Sequence, residues 1–111
     1  MSGTSETGVV SVYVTFPAHF AAEEAVTNLV REQLAACANL MPGLTSIYKW
    51  KGAIERDSES AALLKTTADR VDALVARLRE IHPYDTPCIV AWPVIGGFAP
   101  YLEWVKTETR V

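Results

Sequence analysis

Two strand-forming segments, Leu44 to Trp50 and Ala53 to Thr66, are separated only by Lys51-Gly52. That spacing reads as a tight β-hairpin. If pairing runs on through the polar stretch Glu55 to Ser60, each arm exceeds the usual five or six residues. Such arms reach beyond the body of a small domain. The chain has 111 residues, half of them hydrophobic, enough for one domain with its own core and too few for two. An overhanging ribbon bearing Ile47, Tyr48, Trp50 and Ile54 cannot bury them against that core. Something else must cover them.

The rest of the pattern supplies the body. Val9 to Phe16 alternates apolar and polar residues as a half-buried strand does, and Pro17 ends it. From Ala21 to Ala36 apolar residues recur every three or four positions, with Glu23 and Glu24 in the first turn, which predicts a helix. Thr67 is placed to cap a second helix with an apolar stripe of Val71, Leu74, Val75, Leu78 and Ile81, stopped by Pro83. Cys88 to Val94 predicts a short strand, with Pro93 marking an edge or a strand end. After Gly96-Gly97, Pro100 to Lys106 forms a last amphipathic piece. The order predicts an α+β, ferredoxin-like βαββαβ fold with a long hairpin and a C-terminal helix. Residues 1–8 are expected to be a flexible tail and residues 9–111 one domain.

Composition narrows function by exclusion. A net charge of -3 argues against a dominant nucleic-acid surface, and the aromatic-glycine pattern of an RNA-recognition sheet is absent. No apolar run is long enough to span a membrane. Two cysteines and two histidines without CxxC spacing do not make a structural zinc site or a disulfide framework, so a reducing, cytoplasmic setting is expected.

Few residues are left to carry chemistry. Cys37, in Leu-Ala-Ala-Cys-Ala at a helix end, is expected to be a small buried hydrophobe, as is Cys88; the competing reading is a thiolate beside a histidine. His82 ends the second helix, where it can meet free carbonyls or, as an imidazole, ligate copper or zinc. His19 is expected at the surface. Glu55, Asp57 and Glu59 share one strand face, either as an anionic cluster for a divalent cation or a basic partner or as a solvated, edge-protecting face. Lys65, in an otherwise apolar segment, is expected either to snorkel or to be paired, with Glu55 or another carboxylate as a suitable partner.

Five segments resemble those of the CutA family of divalent-cation tolerance proteins. They are Leu34-Ala35-Ala36-Cys37-Ala38-Asn39, Pro42-Gly43 through Trp50, Leu64-Lys65-Thr66, His82 through Pro87, and Tyr101-Leu102-Glu103-Trp104. The resemblance implies a compact homotrimer whose sister chains cover the hairpin. It places Tyr48, Trp50, Glu55, Lys65, Tyr84 and Trp104 near intersubunit clefts, and it makes Cys37 a family cysteine. It also implies a response to copper or other divalent cations, with an architecture similar to that of the nitrogen-regulatory P-II signal proteins. In bacterial members with described copper ligands, a first-strand cysteine acts with paired histidines. Val14 and Ile81-His82 stand at those positions, so His82 alone remains as a metal ligand. The resulting expectation is a non-enzymatic trimer with weak copper binding. The alternative is a P-II-like trimer holding a small anionic ligand near Lys65, with neither nucleic acid nor membrane as partner.

Overall fold

The computed structural model describes residues 7–110. Eight residues of alternating pattern form β1 (Val9–Phe16), followed by α1 (His19–Arg31), β2 (Cys37–Trp50) and β3 (Ala53–Thr67). A short 3-10 turn (Ala68–Arg70) leads into α2 (Val71–Ile81), and β4 (Ile89–Pro93) and α3 (Ala99–Glu108) complete the chain. The four strands make one antiparallel sheet in the order β2-β3-β1-β4. This small α+β fold has the strand and helix order expected from the sequence.

Strand alternation divides β1 between two environments. Val10, Val12, Val14 and Phe16 face α1 and α2, where they join Leu29, Leu64, Leu74 and Leu78 in the main core. Val9, Ser11, Tyr13 and Thr15 face the other way. There α3 covers only one end of the sheet, packing Val105 and Leu102 against Val9, Ala36 and Val94. The rest of that open face keeps Val90 and Trp92 nearly half exposed.

The hairpin is longer than the sequence segments alone indicated. β2 has 14 residues and β3 has 15, and they are joined by Lys51 at φ 50 and Gly52 at φ 85. Both central residues are left-handed, as a twist-matched two-residue turn requires. A strand of that length spans roughly 45 Å, which matches the 44 Å long axis of the molecule. β2 starts at Cys37, not Leu44, because Pro42-Gly43 does not end the strand: it forms a bulge between Met41 and Leu44 on an edge strand. Edges and bulges are where a strand tolerates proline.

Three other expectations need correction. α1 stops at Arg31, and Gln33 takes φ 62, its amide donating to the Val30 carbonyl while Leu34 N–H donates to Leu29. This is a Schellman ending built on glutamine instead of glycine. Cys37 is therefore a partly buried strand residue, not a buried helix end, and Cys88 is exposed just before β4. The Thr67 hydroxyl donates to the Asp69 carboxylate, and the 3-10 turn that precedes α2 has no side-chain cap.

Of the tail expected over residues 1–8, residues 1–6 lie outside the described residues. The Thr7 hydroxyl donates to the Val94 carbonyl at 2.6 Å, and the Gly8 carbonyl accepts from Ala68 N–H at 2.9 Å.

Candidate functional site

Alternation on the two long strands puts Ser46, Tyr48 and Trp50 of β2 on the same face as Glu55, Asp57 and Glu59 of β3. This is also the open face of β1, carrying Tyr13 and Thr15. The segment after α2 crosses beside it, bringing Pro83, Tyr84 and Asp85, with Cys88 close by. Together these elements enclose a cleft of about 650 Å³. Its charged lining residues are Glu59 and Asp85, with no basic side chain among them.

Two phenols hold carboxylates on this face of the sheet. The Tyr84 hydroxyl donates to Glu59 Oε2 at 3.0 Å, and the Tyr48 hydroxyl donates to Asp57 Oδ2. Burial, reinforced by the Glu59 bond, pushes the Tyr84 phenol up to about 12. For Tyr48 the bond to Asp57 comes first, with a similar result of about 12. Unfolded phenols ionise near 10. Stability held in these bonds is therefore complete below pH 10 and falls as pH rises toward 12, because the unfolded chain releases its protons first. Urea midpoints should drop across that window, and the drop should be shallower in the Tyr48→Phe/Tyr84→Phe double variant.

The six residues that the family resemblance places near intersubunit clefts occupy different parts of this single chain. Tyr48, Trp50 and Tyr84 line the cleft, and Glu55 lies beside Tyr48 in register on the ribbon. Lys65 does not line it. It sits six residues from Glu59 along β3, roughly 20 Å away, and its ammonium donates to Asn39 Oδ1 at 3.3 Å. Glu55 is not its partner, because ten residues of one extended strand separate the two. Trp104 lies on α3, its ring 5.7 Å from that of Tyr101. The Tyr101 hydroxyl is 3.2 Å from Cys37 Sγ. Burial and then the thiol contact push the Tyr101 phenol up to about 12.

Neither histidine bonds a cysteine. His19 is exposed, with Nδ1 3.0 Å from the hydroxyl of the fully buried Ser60. His82 is buried, its ring stacked on Phe16 at 4.8 Å. Its Nε2 lies 2.7 Å from the Thr15 carbonyl, and its Nδ1 accepts from Tyr84 N–H at 3.1 Å. Among the described residues no group of three or more His, Cys, Asp or Glu is arranged to hold a metal ion. None of the described helices is long and apolar enough to cross a membrane.

An antiparallel four-stranded sheet with two helices on one face, a third on the other and an oversized hairpin defines a class of small α+β protein with known members. The CutA1 divalent ion tolerance protein family model matches residues 10–108, so the chain belongs to that family. Protein CutA, chloroplastic, of Arabidopsis thaliana is 40% identical over 99 residues, covering 89% of this chain and 54% of that protein. The chain thus spans about half the length of that relative. The divalent-cation tolerance protein CutA of Thermus thermophilus is 43% identical over 98 residues, covering 88% of this chain and 95% of the relative. The solved structure of CutA1 from Oryza sativa superposes with a TM-score of 0.91 at 38% identity, covering 98% of each chain.

Proposed function

We propose that this CutA-family chain works as a non-enzymatic, cytoplasmic homotrimer that responds to divalent metal ions by binding them weakly. One observation carries the reading: the hairpin holds Ile47 68%, Trp50 54% and Ile54 71% exposed on a ribbon its own core cannot reach. Exposed apolar area of that kind marks an interaction surface. Sister chains are the cover this reading assigns to it. Two unpaired cysteines support a reducing compartment.

The non-enzymatic half rests on the arrangement of the reactive groups. Cys37 meets a phenol, and the Ser60 hydroxyl beside His19 is buried at 2% exposure. Neither makes an accessible nucleophile next to a base.

The metal half is weak because the soft donors copper prefers are absent from the positions the family resemblance singled out. Val14 is aliphatic and fully buried, Ile81 is aliphatic, and both nitrogens of His82 are bonded within the protein. The residues there do not fit a copper site. The hard oxygen donors assigned to a divalent cation in this reading are the cleft carboxylates Glu59 and Asp85. Isothermal titration with Cu2+ should show weak binding, loosened about fivefold by Glu59→Gln through loss of one nearby charge. Tight stoichiometric binding, or no change with Glu59→Gln, contradicts this assignment.

The cleft's volume favours a second reading, a P-II-like trimer that holds a small ligand. With Glu59 and Asp85 as its charged lining, that ligand would be neutral or cationic, in contrast to an anion near Lys65.

A further inference from the structure

We propose that His82 is an internal latch that positions Tyr84 against Glu59, held in a single neutral tautomer and unavailable to metal. The two backbone partners determine the tautomer. An amide N–H can only donate, so Nδ1 facing Tyr84 N–H carries no proton. A carbonyl can only accept, so Nε2 facing Thr15 O carries the proton. Both lone-pair and proton positions of the ring are used, and the imidazole has no free electron pair for a cation.

Local chain geometry explains why a histidine occupies this place. Its own N–H closes the last turn of α2 on the Leu78 carbonyl. Pro83 then holds His82 extended at φ -78, ψ 138, turning the side chain away from the helix axis. β4 pairs with β1 only from Val10 to Val14, so the imidazole takes the next carbonyl along that strand. At 7% exposure and stacked on Phe16, the ring ties the end of β1 to the amide of Tyr84. The Tyr84 phenol then reaches Glu59. Ligating a metal through either nitrogen would leave the Thr15 carbonyl or the Tyr84 amide unpaired, a cost that a weak ion cannot offset. The latch is internal to one chain and holds whether or not sister chains cover the cleft.

Long-range proton–nitrogen correlation of the imidazoles in 15N-labelled protein tests the assignment without a mutation. His82 is expected as the pure Nε2-protonated form, with both nitrogen shifts unmoved by excess Zn2+ alone. A saturable Zn2+-dependent shift at His82, or a mixture of tautomers, overturns it. Two variants test the positioning role. His82→Asn still offers an acceptor to Tyr84 N–H, whereas His82→Phe keeps the stacking and removes both bonds. Hydrogen exchange at the Tyr84 amide should be about tenfold faster in the phenylalanine variant than in the asparagine variant. Equal exchange rates in the two would show that the ring acts by packing alone.

Discussion

The Ile47→Asp/Ile54→Asp double variant should sediment as a folded monomer under conditions where the parent chain is a trimer. The two isoleucines lie diagonally across the β2–β3 ribbon on one face, 68% and 71% exposed in the isolated chain. Covering most of an isoleucine side chain contributes about 2 kcal/mol. Burying an unpaired carboxylate in its place costs several more. In the proposed trimer, two such changes per chain are repeated at each subunit contact. The summed loss shifts the association constant by many powers of ten. The fold itself should survive, because neither side chain belongs to the core between the sheet and α1 and α2. Far-UV circular dichroism unchanged from the parent, together with the mass of one chain, is the expected pair of results.

Leu64→Ala should act in the opposite manner, damaging the subunit and not its contacts. Leu64 is fully buried on β3, opposite Val12 and packed into the main core with Leu29, Leu74 and Leu78. Truncation there leaves a cavity between sheet and helices and costs roughly 2–5 kcal/mol. That is a large part of the stability of a domain this size. Denaturation midpoints should fall at every protein concentration. The hairpin variant, by contrast, should remove the concentration dependence that the proposed assembly would impose on the parent.

What could be read from the sequence follows from the range of the interactions involved. The hairpin turn was legible because Lys51-Gly52 is a local signal, and the strand and helix order was legible because periodicity is local too. The end of α1 was hidden because Gln33 adopts the left-handed conformation that glycine usually announces. The start of β2 was hidden because Pro42-Gly43 looks like a break and is a bulge. At the site, the shared face of Glu55, Asp57 and Glu59 follows from strand alternation. The Tyr84–Glu59 bond joins residues 25 apart and the His82–Thr15 bond residues 67 apart, and no pattern along the chain encodes either. The Lys65–Glu55 pairing failed for a geometric reason, since ten residues of one strand cannot fold back on themselves.

The proposed assembly is decisive, because in it the exposed apolar ribbon would be buried. Sedimentation equilibrium of the parent chain at low concentration tests it most directly. The predicted result is a single species with three times the 12.1 kDa chain mass, persisting on dilution. A stable, soluble species of one chain mass would contradict it.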